Sequence, residues 1–330
     1  MEYIVKLNPE SPFHIGEAGI GLEETSFTVH SDTLFSAICN TYALLYGEDE
    51  LEDLIGQFGR EPPFHLSSAF LFIEDMLTFP VPLNVNWSKF MDESQNKKEY
   101  SYELIKKLKN VQFVSKEVFY SILKDEQDIL SEPPNIQKNI LFSSEETPPD
   151  DIYSILETPH VALDRRSLSS SIYHIGEVHY APACGLYFFL KTQKNYDSRI
   201  RAAIHLLGDE GLGGKRSSGK GLFRPVFLSD IHKIPQSPMD ITLSLIFPTK
   251  EELSIIKEGS YKIIMRKGWI YSPQIKSLRK KSVRMLTEGS TFPRKVKGQL
   301  INVTPDVDFE IPQVKRYGYG FYLERGKNNG

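Results

Sequence analysis

Cysteine is nearly absent from this chain: Cys39 and Cys184 are the only two in 330 residues. That excludes a disulfide-stapled scaffold and a zinc site built from several cysteines. Long apolar runs are missing as well. Stretches such as Gly185–Leu190 (GLYFFL) stop far short of the roughly 18–20 residues that span a bilayer. Residues 1–20 hold one lysine and no extended apolar segment, so no secretory leader is expected. A cytoplasmic protein with no membrane partner is the simple expectation. No repeat of fixed period is visible. Apolar residues make up 40% and charged residues 25%, an average balance that supports a packed core. A length of 330 residues accommodates two domains.

The net charge of −4 conceals an asymmetry. Residues 1–200 hold 16 Lys+Arg against 31 Asp+Glu, a balance of −15, whereas residues 201–330 hold 23 against 12, a balance of +11. Between Lys262 and Lys297 eleven cations face a single acid, Glu288. Clustered basic charge is the footprint of a polyanionic partner. The acidic first half argues against indiscriminate nucleic-acid binding. A defined basic groove, or a contact between subunits of opposite charge, fits better.

The pattern along the chain is mixed. Residues 2–7 (EYIVKL) alternate as a half-buried strand, and Ser31-Asp32 is expected to cap a helix carrying Leu34, Ile38, Tyr42 and Leu45 until Gly47. Residues 68–73 and 76–83 read as paired strands, the second made an edge by its two prolines. A helix is expected over 99–109, an exposed loop over 131–151, and strands over 159–163, 172–180 and 185–191. An amphipathic helix over 199–207 ends at Gly208. A second β-rich unit is expected from 241–247, a short helix over 249–258, a long strand over 261–272, and a last strand over 317–323. The order predicts an α+β chain of two sandwiches in tandem.

The segment Gly211–Gly221 (GLGGKRSSGKG) carries the most chemistry. Its five glycines permit torsions closed to other residues and close approach to a ligand. Lys215, Arg216 and Lys220, with the hydroxyls of Ser217 and Ser218, suit phosphate oxygens. The segment is not a P-loop: Gly221 stands where that motif needs Ser or Thr for magnesium, and the loop follows a helix and precedes a strand, the reverse of the required order. A dinucleotide fingerprint fails for the same reason. No cofactor is implied.

This loop, with His30–Tyr42 (HSDTLFSAICNTY) and His160–Tyr180 (HVALDRRSLSSSIYHIGEVHY), resembles the RAMP proteins of CRISPR effector complexes. The similarity is greatest to the fourth Csm subunit of type III-A systems, which holds the 5′ handle of the crRNA. The resemblance covers most of residues 1–228 and, beyond them, rests on length and order. It implies two tandem ferredoxin-like (RRM-like) domains: residues 1–230, with an insertion at about 87–158 and the glycine loop at 211–221, and residues 238–330. It also implies contacts with crRNA, with the large polymerase-like subunit and with the backbone RAMP subunit. The RNA-binding residues expected on this basis are Gly213, Gly214, Lys215, Arg216, Ser217, Ser218, Gly219, Lys220, Arg165, Arg166, Ser31, Arg279, Lys280, Arg284 and Arg294. No catalytic or metal-binding residue is expected.

Two rivals stand beside this reading. One is a metal-independent crRNA-processing endoribonuclease using His14 or His30 as general acid or base. The related cutting enzymes carry their glycine loop near the C-terminus, whereas here more than 100 residues follow it. The other is a pure assembly scaffold. Asp306, Asp308 and Glu310 alternate as a solvent-facing strand edge, and both cysteines read as core. The run Tyr317-Gly318-Tyr319-Gly320-Phe321 is compatible with base stacking or with sheet packing. Trp269 and Tyr271 meet the same ambiguity. Arg279, Lys280, Lys281 and Arg284 are expected to form one patch on a short helix or tight hairpin.

Overall fold

The computed structural model describes residues 1–16, 21–87, 98–126, 134–163, 170–229, 233–270, 278–307 and 313–326. The N-terminal part runs β1 (Glu2–Pro9), α1 (Ser31–Tyr46), α2 (Glu48–Gln57), β2 (Phe64–Leu66), β3 (Phe70–Ile73), β4 (Met76–Pro80), α3 (Lys98–Lys109), β5 (Phe113–Ser115), α4 (Lys116–Lys124), β6 (Ile136–Gln137) and β7 (Ile140–Leu141). There follow β8 (Tyr153–Leu163), β9 (Ser170–Tyr180), β10 (Cys184–Thr192), α5 (Asp197–Glu210) and β11 (Phe223–Leu228). The C-terminal part holds β12 (Asp240–Ile241), α6 (Leu253–Lys257), β13 (Ile263–Arg266), β14 (Val283–Leu286), β15 (Thr291–Phe292), β16 (Ile301–Asn302) and β17 (Lys315–Arg316).

The main sheet runs β11-β1-β10-β3-β4-β5-β7-β6, with β2 also on β10. Its first four strands are antiparallel, and α1 and α5 supply the crossovers of a β-α-β-β-α-β unit. The register explains why β10 is apolar on both faces while β1 keeps Glu2 and Lys6 on one of them. Tyr3, Val5 and Leu7 lie opposite Leu190, Phe188 and Leu186 and join one core with Ile38 of α1 and Ile204 of α5. Ile4, Tyr187 and Phe189 point the other way into a second core. A strand covered on both sides loses the polar alternation of a half-exposed one.

Several expectations need correction. His30 is the N-cap of α1 and Ser31 its first helical residue, with no side-chain cap bond. Strand β4 is internal, between β3 and β5. Pro80 is its last residue and Pro82 lies beyond it, so neither removes an interior ladder donor. Residues 136–142, expected as loop, form β6 and β7, because Ile140, Leu141 and Phe142 are buried. Helix α5 runs through Gly208 to Glu210. A Cβ on Gly208 would stand 2.3 Å from the Phe223 carbonyl, so this glycine lets helix and strand touch.

The C-terminal part has fewer regular strands than the alternation predicts. Of residues 241–247, Ile241 alone belongs to a strand; the chain bends at Leu243 and Ser244 and makes an isolated bridge at Ile246. Backbone bonds link Ile246 with Leu286 in both directions, Leu243 N to Phe321 O, and Phe247 N to Gly318 O. The Ser244 hydroxyl replaces further rungs by accepting from Phe321 N and donating to Tyr319 O. The last strand expected over 317–323 is not formed: the final strand is Lys315–Arg316, just before it, and Tyr319 makes a single bridge to Gly298. The expected long strand over 261–272 is Ile263–Arg266, followed by a single bridge at Trp269. Tyr317 and Tyr319 are buried in the N-terminal core: Tyr317 Oη accepts from Leu66 N and Tyr319 Oη donates to Phe58 O. Their rings serve packing, which closes the stacking alternative for this pair.

Candidate nucleic-acid interface

The glycine loop closes onto the segment that follows β1. Gly214 N donates to His14 O and Gly221 N to Pro12 O, both at 2.8 Å, and Leu212 N donates to Gly221 O. Only glycine fits at the two pinned ends. Gly213 has φ +99° and a Cβ there would lie 2.5 Å from His14 O; Gly221 has φ +79° and its Cβ would lie 2.1 Å from Leu212 O. Between them Arg216–Ser218 make one 3-10 turn, entered by Lys215 at φ +60°. Ser217, Ser218 and Gly219 are exposed at its tip, with Lys215, Arg216 and Lys220 half-buried on either side.

Against this loop stands the hairpin of β8 and β9, whose eleven paired positions run from Tyr153↔Tyr180 to Leu163↔Ser170. Glu177 of β9 is 2% exposed and accepts from Lys220 Nζ at 2.9 Å. His179 and His160 bring their Nε2 atoms to 3.6 and 4.0 Å of the same carboxylate. Burial would raise the Glu177 carboxyl; the Lys220 ammonium outweighs it, so the pKa is lowered. His160 stacks on Tyr173 at 5.6 Å, and Lys215 Nζ lies 5.2 Å from the Tyr173 centroid. The loop is therefore tied to the hairpin at both ends of its turn. Sequence reasoning quoted this hairpin for Arg165 and Arg166, which lie outside the described residues, and passed over Glu177. The available clue was one acid among strand residues, two positions from a histidine.

Both histidines considered as acid or base are engaged by other groups. His14 is 5% exposed beneath the loop, and its Nδ1 donates to Gly176 O at 2.8 Å. His30 turns from the helix end to Glu288, Nδ1 to Oε1 at 2.8 Å, and Ser68 Oγ donates to the same oxygen. Burial would lower the His30 pKa, but the Glu288 carboxylate outweighs it and the pKa is raised.

Ser31 is completely buried; its Oγ accepts from Leu245 N and its N–H donates to Ser68 Oγ. The hydroxyl is sealed between the two halves of the chain, which speaks against the RNA contact expected of Ser31. The basic stretch is also divided. Arg266 is buried and binds Asp32 through Nε and Nη2 at 3.0 and 2.9 Å, and Arg316 Nη1 meets the same carboxylate. Burial would raise Asp32; Arg266 and then Arg316 hold it well below the usual carboxylate range. Lys280 is half-buried beside this group, its pKa lowered by burial and then by Arg316. Arg279, Arg284 and Arg294 are exposed. The four cations of 279–284 therefore do not act as one patch: Lys280 turns inward, and Lys281 pairs with Asp306 at 2.6 Å. Asp308, Glu310 and Tyr271 lie outside the described residues.

Residues 6–224 match the model of the RAMP superfamily, so the chain belongs to that superfamily. Residues 235–325 match the model of the CRISPR Csm4 C-terminal domain. The "CRISPR system Cms protein Csm4" of Methanocaldococcus jannaschii is 28% identical over 92% of this chain and 89% of its own length. The same-named protein of Thermococcus onnurineus is 28% identical over 87% and 85%. Among solved structures, one from a Csm3–Csm4 subcomplex of a type III-A interference complex has TM-score 0.66 at 22% identity, covering 98% of this chain and 100% of that one. One from a Csm1–Csm4 cassette in complex with cA4 has TM-score 0.60 at 24% identity, with both chains fully covered. These two establish likeness of fold. No helix among the described residues is long and apolar enough to cross a membrane.

Proposed function

We propose that this chain is a non-catalytic crRNA-binding subunit of a cytoplasmic type III-A CRISPR ribonucleoprotein, gripping the 5′ handle and bridging its large subunit and backbone RAMP subunit. The observation that carries it is the glycine loop, which presents Lys215 and Arg216 beside an exposed Ser217-Ser218 turn and is braced by Glu177 and the hairpin. Such a turn offers donors to phosphate oxygens without selecting a base. Gly213, Gly214 and Gly219 shape it, Lys220 links it to Glu177, and Arg279, Arg284 and Arg294 extend the basic surface toward the RNA; Arg165 and Arg166, outside the described residues, are further candidates for RNA contact. Lys280 is placed at its inner margin. The Csm1–Csm4 and Csm3–Csm4 pairings of the relatives support the bridging role.

The order β11-β1-β10-β3 supports reading residues 1–230 as a ferredoxin-like domain, with residues 238–330 as a second, irregular one. The engaged state of His14 and His30 speaks against the endoribonuclease alternative. The test is co-purification of the tagged chain from its host with sequencing of bound RNA, beside incubation of the pure chain with labelled precursor RNA without metal. Bound handle-containing RNA and intact precursor are expected. Specific cleavage lost in His14→Ala or His30→Ala would replace this reading with the enzyme.

A further inference from the structure

Trp269 is a tryptophan the fold does not use. It is 56% exposed, in contrast to Trp87, the chain's other tryptophan, at 9%. Its backbone is held: Trp269 forms an antiparallel bridge with Arg279, Ile270 N donates to Leu278 O, and Lys280 N donates to Gly268 O, both at 2.9 Å. Across that bridge the exposed Arg279 lays its guanidinium over the indole, 4.7 Å from the centroid. A ring this exposed buries too little area to explain its place by packing, and a stacked guanidinium on a fixed backbone restrains its orientation.

The surroundings decide what such a ring is suited to. Lys267 precedes it and Arg284 lies opposite Met265 on β14; both are exposed. The only acid between Lys262 and Lys297 is Glu288, which is occupied by His30 and Ser68. Lys281 is paired with Asp306 and Arg266 with Asp32, but Lys267, Arg279 and Arg284 form no ion pair among the described residues. An aromatic face among such cations fits an unstacked nucleobase whose phosphates run past the basic residues. A protein partner would have to offer an acidic, apolar face instead. We propose that Trp269 with Arg279 is a base-stacking platform for one nucleotide of single-stranded RNA. The assignment rests on the RNA-binding function proposed above and adds a base contact to phosphate contacts.

The test uses the full chain and two probes: a single-stranded RNA of about eight nucleotides, within the usual site size, and an abasic ribose-phosphate chain of equal length. Because Trp87 is buried, the fluorescence of Trp269 is the natural reporter. The RNA is expected to quench it and the abasic chain to leave it unchanged. Trp269→Ala should weaken RNA binding about fivefold or more with the same salt slope, while Trp269→Phe, which keeps a stacking face, retains most of the affinity. Equal binding by wild type and Trp269→Ala, together with no quenching by RNA that does bind, overturns the platform and leaves phosphate binding standing. Quenching by the purified large subunit but not by RNA overturns it in favour of a protein contact. Absence of any salt-dependent RNA binding by wild type would instead bring down the underlying function.

Discussion

Arg266 forms a two-pronged ion pair with Asp32, 234 residues earlier in the chain, and Arg316 closes on the same carboxylate. A cation that sequence alone assigns to a surface patch is thus a fastener between the two halves of the molecule. Breaking a buried pair strands a charge, at a cost of about 3–5 kcal/mol. Asp32→Ala should lower the unfolding free energy by about that amount in urea titrations, since it removes the carboxylate that two buried guanidiniums share. Arg266→Lys cannot reproduce the fork and should be destabilising too. An Asp32→Ala protein as stable as wild type would show that this ion pair adds nothing to the hold between the halves.

The glycine loop separates two kinds of glycine requirement. Gly219 and Gly221 both have positive φ, but a Cβ on Gly219 meets nothing within 4 Å, while one on Gly221 strikes the Leu212 backbone. Gly219→Ala should therefore cost only the left-handed torsion, about 1–2 kcal/mol. Gly221→Ala adds a clash that the chain relieves only by releasing the Gly221 N–H to Pro12 O bond. Thermal unfolding should rank Gly221→Ala clearly below Gly219→Ala, and limited proteolysis should cut the loop in the former alone. Equal melting points for the two would refute this account.

His30 and Glu288 make a pH-dependent contribution with opposite limbs. The raised imidazole stabilises fully below its unfolded value, near 6.5, and that share is lost as pH rises through the folded value. The lowered carboxyl of Glu288 stabilises above its unfolded value, about 4.3, and that share is lost as pH falls through the folded one. The pair therefore contributes most between about pH 4.3 and 6.5. The stability difference between wild type and His30→Gln should shrink from about pH 6 to about pH 9 in urea unfolding. A constant difference across that range would mean the imidazole acts as a neutral donor.

The sequence reading succeeded where burial imposes periodicity. Residues 2–7, 31–46 and 185–191 are covered by the same cores that their apolar positions imply. It failed where hydroxyls replace ladder bonds, as at Ser244, because a Ser-Leu-Ile run looks like an ordinary strand from its letters. It failed again with charge: nothing local to Arg266 or Arg316 reveals that Asp32 waits across the molecule. The glycine loop was legible from composition, whereas its brace was not, since Glu177 is a single acid whose meaning depends on Lys220.

That brace changes how the loop's charge counts. Lys220 lies 2.9 Å from a buried carboxylate, so its ammonium is largely compensated before any phosphate arrives. Counterion release on RNA binding follows the charge that newly meets phosphate. Lys215 lies on the Tyr173 ring, which leaves its charge uncompensated by any acid within ion-pair distance among the described residues. Lys215→Ala should therefore lower the slope of log affinity against log salt by about one, and Lys220→Ala by clearly less. Removing the countercharge removes the difference. In a Glu177→Gln background, where a neutral amide can still accept from Lys220, the same Lys220→Ala change should cost about one unit of slope. The measurement is a set of filter-binding titrations at several salt concentrations across this double-mutant cycle. Equal slope losses for Lys215→Ala and Lys220→Ala in the wild-type background would mean that Lys220 leaves Glu177 for phosphate in the complex, and that the brace exists only in the free protein.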